Sequence, residues 1–240
     1  MNQGAAPPEA RAAGLYAMGI RSRRDLLQSL YYGIKNNAAE AWELHRRLQT
    51  LQQVQAINTG SLGAAPLNHG VSIRPGDIMP RHEVLNAKNA AEATAEDSAI
   101  TLVLMVDRAL QRLRPRISAV DTRDLGPEIV PGIRLNRVIW ALANQARHLH
   151  EWIARADAQL YAQSDVQVIV ALTHDPRNEN AAREIIMGMN LNSYLAFEEM
   201  MIQTARDVLA PTGWTLRMLS AGTYGLDPPP QPVQPPPAGS

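Results

Sequence analysis

Apolar residues recur every three or four positions along four long stretches of this chain, the spacing that places side chains on one face of an α-helix. The pattern predicts main helices at about 22–57, 87–114, 133–163 and 191–210. Residues 166–172 form a shorter apolar run. We assign this run to a helix as well, because the chain has no second strand-like run with which it would pair. The sequence therefore predicts an all-α fold, a helical bundle of four main helices with shorter helices between them.

Segments rich in Gly and Pro divide the chain around these helices. We expect residues 1–20 to be a flexible N-terminus, residues 21–222 to form a single helical-bundle domain, and residues 223–240 to be a disordered Pro-rich tail. Residues 58–80 are predicted to be a long irregular loop. Loops of this length are uncommon unless they are functional or disordered, so the loop is interpreted either as a disordered excursion or as a lid.

The predicted helix at 133–163 has two contrasting faces. Its apolar face contains Leu135, Ile139, Leu142, Ala146, Leu149, Ile153, Ala156 and Leu160. Its opposite face, called the polar face below, contains Trp140, Asn144, Arg147, His148, Glu151 and Arg155. An amide, a guanidinium, an imidazole and a carboxylate lie here within two turns, close to two tryptophans, Trp140 on this face and Trp152 next to Glu151. This mixture makes the polar face the candidate functional surface.

Composition and charge exclude several classes of function. The chain has no Cys, which excludes disulfide frameworks, cysteine nucleophiles and thiolate metal sites. It has 23 basic and 23 acidic residues, so any contact with nucleic acid requires a local patch. The densest basic cluster lies at the C-terminal end of the second main helix and consists of Arg108, Arg112, Arg114 and Arg116. Two interpretations stay open for it: a solvated helix end favoured by the helix dipole, and an RNA-binding groove.

The sequence also lacks the signals of membrane, metal and cofactor binding. No secretory signal pattern and no apolar run of about 20 residues occur, so we expect a cytoplasmic protein without membrane contact. No phosphate-binding glycine motif and no Glu-x-x-His pair occur, and His148 and His150 lie on different sides of their helix. We therefore expect no cofactor and no metal ion.

The polar face suits general acid–base chemistry on a phosphodiester. His148 can accept the proton of a ribose 2′-hydroxyl, and Arg147 can stabilise charge on the phosphate. Asn144 can help to orient that phosphate, and Glu151 can hold the imidazole in one tautomer. These groups are sufficient only in a composite site, for instance one doubled across the twofold axis of a homodimer.

The segment Ala143-Asn144-Gln145-Ala146-Arg147-His148, followed by Glu151-Trp152, resembles the signature helix of the HEPN superfamily (higher eukaryotes and prokaryotes nucleotide-binding domains). Asn144 and His148 match the polar residue and the catalytic histidine of that signature. The resemblance implies a metal-independent ribonuclease or an RNA-binding component of a bacterial toxin–antitoxin or antiviral defence system. Ala143 occupies the position of the family's phosphate-contacting arginine, and Arg147, four residues later, replaces it only if the geometry permits.

A non-enzymatic alternative stays open beside this hypothesis. In it the protein is a helical interaction or oligomerisation module of a defence-associated or phage-associated assembly. The polar face is then the interface of a homo-oligomer, with Trp140 and Trp152 as its anchors. The Pro-rich tail would dock on a protein partner.

Overall fold

The structure, a computed structural model, describes residues 5–58, 81–117, 120–155, 158–219 and 222–230. All but the first residue of the loop predicted at 58–80, and the last ten residues of the predicted tail, lie outside the described residues. Helices dominate the described chain, which confirms the predicted all-α fold. The helices are α1 (Pro8–Arg21), α2 (Arg24–Asn58), α3 (Arg81–Leu113), α4 (Leu135–Ala154), α5 (Ala158–Tyr161), α6 (Ser164–Thr173), α7 (Ala181–Gly188) and α8 (Tyr194–Leu209). Two short antiparallel hairpins join them: β1 (Glu128–Val130) with β2 (Ile133–Arg134), and β3 (Thr215–Met218) with β4 (Tyr224–Asp227).

The two longest helices, α2 and α3, pack along each other. They contain 35 and 33 residues, so each is about 50 Å long at 1.5 Å per residue. Gly33 lies against Ser98, whereas Leu48 shares a small apolar cluster with Val84, so the two helices run antiparallel. That cluster is separate from the main core, which the other end of the pair forms together with α1, α4, α6, α7 and α8. No helix in the described part of the chain is long and apolar enough to cross a membrane.

Residues 8–21 form helix α1, so the prediction of a flexible stretch over 1–20 is wrong for this helix. Ala13 and Ala17 of α1 are completely buried in the main core, and Tyr16 is almost so. Arg21 attaches the end of α1 through Nη1, which lies 3.0 Å from each carboxylate oxygen of Glu198 in α8. Alanine favours helix formation, and its small side chain packs closely against neighbouring helices. The glycine and proline residues in the same stretch favour a flexible segment, so composition alone does not predict this helix.

The central helix α4 is shorter than the 133–163 predicted. Ile133–Arg134 belongs to β2, and the helix ends after Ala154 because Arg155 is extended, with φ −105° and ψ 117°. Leu160 is buried as the apolar pattern requires, but it lies in the separate helix α5. The prediction of the apolar face is confirmed for Leu135, Ile139 and Leu142, which are buried. Near the end of α4 it is wrong, since Ile153 is 46% exposed.

The second hairpin also revises the expected domain boundary at residue 223. Strand β4 pairs with β3 from Tyr224↔Met218 to Asp227↔Thr215, and the Tyr224 side chain is buried against the core. Gly222 contributes its carbonyl oxygen, which accepts a hydrogen bond from Arg21 Nε at 2.7 Å. The prediction of a disordered tail is therefore wrong for Tyr224–Asp227.

A buried carboxylate on α3 caps helix α7. Glu96 is 8% exposed and accepts hydrogen bonds from the backbone N–H groups of Ala182 at 3.2 Å and Arg183 at 2.9 Å. Asn180 precedes the helix without forming a side-chain cap of its own. Burial raises the pKa of Glu96 from 4.5 to about 7, against the opposing effect of the two N–H donors.

The position of Glu96 makes folding stability depend on pH. Its pKa is higher in the folded than in the unfolded chain, so between about pH 4.5 and about pH 7 the folded state binds more protons. The contribution of Glu96 to the free energy of unfolding therefore falls as pH rises through this window. We expect Glu96→Gln to remove that slope, measured by urea unfolding at about pH 5 and about pH 8. An unchanged difference between the two pH values in the variant would contradict this cause.

Candidate functional site

The polar face of α4 is tied to α3 through an ion pair whose carboxylate is buried and whose arginine is partly exposed. Arg147 Nη2 contacts Asp107 Oδ2 of α3, and the Asp107 side chain is 2% exposed. The same Oδ2 atom accepts a hydrogen bond from Gln111 Nε2 at 2.7 Å. A buried carboxylate requires a compensating cation. Arg147 therefore has a structural task that the sequence pattern did not show.

Asn144 extends this network to α6. Its Oδ1 accepts a hydrogen bond from Arg147 Nη1 at 3.3 Å, and its Nδ2 donates to Asp165 Oδ2 at 3.0 Å. Asp165 is 8% exposed and lies in the first turn of α6. Both ends of the Asn144 amide are thus occupied, and α4 is linked through it to a second neighbouring helix.

His148 and Glu151 lie on the solvent side of the same helix. His148 Nδ1 is 3.3 Å from Glu151 Oε1, and the two side chains are 48% and 54% exposed. His148 Nε2 has no hydrogen-bond partner among the described residues. The four predicted site residues thus form two pairs, Asn144 with Arg147 and His148 with Glu151. No hydrogen bond between described residues joins one pair to the other.

The position that carries arginine in the HEPN signature faces the core in this chain. The Ala143 side chain is completely buried among apolar residues of the main core. A guanidinium there would be desolvated without a partner, which is very unfavourable. Arg147, the sequence-based candidate to replace it, already compensates Asp107 within one chain.

The two tryptophans near the polar face differ in their surroundings. Trp152 is 4% exposed and belongs to the main core, so it is not available as an anchor for a partner. Trp140 is partly buried, and the guanidinium carbon of Arg123 lies 4.9 Å from its ring centroid. Arg123 was not predicted as a site residue, because a contact between a turn and a helix 17 positions later leaves no sequence pattern.

A 3-10 turn, Thr122–Asp124, holds Arg123 in place. Asp121 caps this turn by accepting the Arg123 backbone N–H at 3.0 Å, and its carboxylate accepts a second bond from Arg123 Nε at 2.8 Å. These bonds from Arg123 lower the pKa of Asp121 to about 2, and Arg114 contributes to the same shift. The carboxylate and the guanidinium are therefore a fixed pair at neutral pH.

This turn, α3 and α4 enclose a cleft of about 120 Å³. Asp107 and Thr122 are buried where they line it, whereas Gln111 and Arg114 are exposed. The lining residues are Asp107, Leu110, Gln111, Arg114, Thr122, Arg123, Asn136 and Trp140. The α3 members follow the i, i+3, i+4, i+7 spacing of one helix face. The cleft thus joins the predicted basic cluster on α3 to the polar face of α4, two features that sequence analysis treated separately.

Charges around the cleft do not balance. Each nearby carboxylate already has an arginine of its own, in the pairs Asp107–Arg147, Asp121–Arg123 and Asp124–Arg137. Four exposed arginines remain at the end of α3. Arg114 lies close enough to Asp121 to help lower its pKa, whereas the other three form no hydrogen bond or ion pair with another described residue: Arg108, Arg112 and Arg116. We call these four residues and the mouth of the cleft the basic surface. It is the local patch that a chain of zero net charge requires for binding polyanions.

Comparisons with known proteins add no family assignment. No protein-family model matches the chain, and no curated protein or solved structure matches it significantly. The HEPN resemblance therefore stays a prediction. Among the described residues, no three His, Asp or Glu side chains converge as metal ligands do.

The two pairs on the polar face predict different effects on stability. Arg147→Ala leaves the buried Asp107 carboxylate without its cation, and we expect a loss of about 2 kcal/mol in the free energy of unfolding. His148→Ala, the control on the same helix, breaks only an exposed contact and should cost less than about 0.5 kcal/mol. Urea unfolding of both variants measures the difference. Equal losses would contradict the division of the polar face into a structural and a solvent-facing pair.

Proposed function

We propose that this protein binds single-stranded RNA through the basic surface. One observation carries the proposal: four exposed arginines cluster at the end of α3, and one of them, Arg114, lines a cleft whose other wall contains Trp140. Polyanion binding needs unpaired cations, since a cation already engaged with a carboxylate gains little from a phosphate. The basic surface meets that condition, whereas Arg147 does not.

The residue types favour phosphate as the bound group. Arginine offers a planar set of N–H donors that matches two phosphate oxygens at once, which lysine does not. The spacing of Arg108 and Arg112, four residues apart on α3, places their heads about one helical turn from each other. Neighbouring phosphates of a flexible single strand can adjust to such a spacing.

The stacked pair of Arg123 and Trp140 favours a single strand over a duplex. Unpaired bases stack on aromatic rings and on guanidinium planes, whereas bases within a duplex are not accessible for such contacts. Arg123 is held by Asp121 and covers Trp140, so this stacking surface exists before any ligand arrives. A preformed surface reduces the entropy lost on binding.

Cleavage of the bound RNA is a second candidate function, and the His148–Glu151 pair favours it. Glu151 engages Nδ1 of the imidazole, which leaves Nε2 directed to solvent as the atom that would take the 2′-hydroxyl proton. Arg147, the cation that the sequence places next to this histidine, is engaged by Asp107. A homodimer that supplies an arginine from its second copy would complete the site, as expected for a cytoplasmic ribonuclease of a toxin–antitoxin or antiviral system.

Binding is tested by removing charge from the basic surface while sparing the cleft. The variant Arg108→Gln/Arg112→Gln/Arg116→Gln should lose most of its affinity for a single-stranded RNA. The plot of log K against log salt concentration should become shallower by about 2. The matched control, Arg46→Gln/Arg47→Gln/Arg217→Gln, removes the same charge from exposed positions elsewhere and should bind as the wild type does. Fluorescence anisotropy with a labelled RNA measures both, and equal losses in the two variants would refute the assigned surface.

Cleavage is tested with a mixed pool of cellular RNA in the presence of a chelator. We expect degradation by the wild type and none by His148→Ala, while the variant keeps its RNA affinity. Arg46→Gln serves as the active control. Degradation by His148→Ala at the wild-type rate would remove His148 from any active site, and intact RNA with the wild type would leave binding alone as the function.

A further inference from the structure

The guanidinium of Arg123 is held at one edge and covered on one face. Its Nε donates to the two carboxylate oxygens of Asp121 at 3.0 and 2.8 Å, and its Nη2 contacts the second of them. These bonds lie in the plane of the group. Its carbon is 4.9 Å from the ring centroid of Trp140, within the range of a cation–π contact. The side chain is still 33% exposed, which leaves the second face of the plane for solvent or a ligand.

The surrounding backbone fixes this arrangement. Asp121 caps the turn Thr122–Asp124 by accepting the Arg123 backbone N–H at 3.0 Å. The carbonyl oxygen of Thr122 accepts a hydrogen bond at 2.9 Å from Nδ2 of Asn136, a buried residue of α4. Trp140 lies four residues after Asn136, on the same side of that helix. The turn that carries Arg123 is therefore attached to the helix that carries the ring.

A guanidinium plane fixed in this way suits stacking with a base. Unpaired bases stack on arginine planes as they do on aromatic rings, and the guanidinium is weakly hydrated, so covering it costs little. A free arginine on a surface loses side-chain entropy when a ligand orders it. Arg123 has lost that freedom already, because Asp121 and Trp140 hold it.

We propose, on the basis of the RNA-binding function above, that one unpaired base of the strand stacks on the exposed face of Arg123 and that Asp121 is the positioning residue for this contact. The base, the guanidinium and the Trp140 ring then form one column. The flanking phosphates bind the arginines of the basic surface, of which Arg114 lines the same cleft as Arg123 and Trp140.

Charge and positioning predict opposite effects for Asp121→Asn. The change removes a carboxylate close to the basic surface, so charge alone would strengthen the binding of a polyanion. If Asp121 positions Arg123, the same change weakens the binding of a base, because the guanidinium is held less firmly. Asparagine still caps the turn, so the backbone should stay as it is. Asp124→Asn is the matched control, since it removes the same charge from a carboxylate of the same turn that pairs with Arg137 instead.

Two ligands of equal charge isolate the contribution of the base. One is an octamer of abasic ribose phosphates, and the other carries a single adenosine at its centre. In anisotropy titrations at low salt, we expect the wild type to bind the adenosine strand about tenfold more tightly, as stacking of one base implies. Asp121→Asn should reduce this ratio to about twofold and bind the abasic strand at least as well as the wild type.

Two further variants locate the effect. Arg123→Lys keeps the positive charge but lacks the planar group, so it should lose the same ratio and keep its affinity for the abasic strand. Asp124→Asn should keep the ratio of about tenfold. Because the ratio compares two strands on one protein, a general loss of structure would lower both affinities and would not lower the ratio alone.

The outcomes separate this inference from the function on which it rests. Equal binding of the two strands by the wild type would refute the stacked base while phosphate binding stands. A ratio that survives Asp121→Asn would refute the positioning role, and one that survives Arg123→Lys would refute the contact with the guanidinium. No binding of either strand would refute the RNA-binding function itself and this inference with it. A ratio lost in Asp121→Asn and Arg123→Lys but kept in Asp124→Asn supports the inference.

Discussion

The buried carboxylate of Asp107 is the constraint on which the arrangement of the polar face depends. A charge that is 98% removed from solvent must be compensated, and Arg147 of α4 compensates it across the contact with α3. That ion pair holds the two helices at one register, and Asn144 carries the connection on to Asp165 in α6. It also uses the single cation that the sequence suggested for catalysis. The residues that can contact a ligand are therefore the exposed His148 and the arginines of the basic surface.

The pairing of carboxylates with arginines also determines the charge around the cleft. One oxygen of Asp107 receives hydrogen bonds from both Arg147 and Gln111. Asp121 and Asp124 each pair with an arginine outside α3, so the positive charge at the end of α3 is only weakly offset, at Arg114 by Asp121.

Local periodicity was enough to predict the main helices, because burial of one helix face leaves a repeat within a few residues of sequence. It failed where burial depends on distant segments. The alanines of α1 are core residues only because α8 lies beside them, and Ile153 is exposed because α4 ends one residue later, at Ala154. The site followed the same rule: His148 and Glu151 are paired as their spacing predicted, whereas the partners of Arg147 and Trp140 lie 40 and 17 positions away.

Hydrogen exchange of the backbone amides, measured with and without a single-stranded RNA, tests the central claim most directly. Bound RNA slows exchange wherever it excludes water or stabilises local structure. The account predicts slower exchange at the end of α3 and in the turn Thr122–Asp124, with no change in the paired segments of α2 and α3 around Leu48 and Val84. Protection confined to those distant segments, or exchange that RNA leaves unchanged everywhere, would contradict the claim that the basic surface binds RNA.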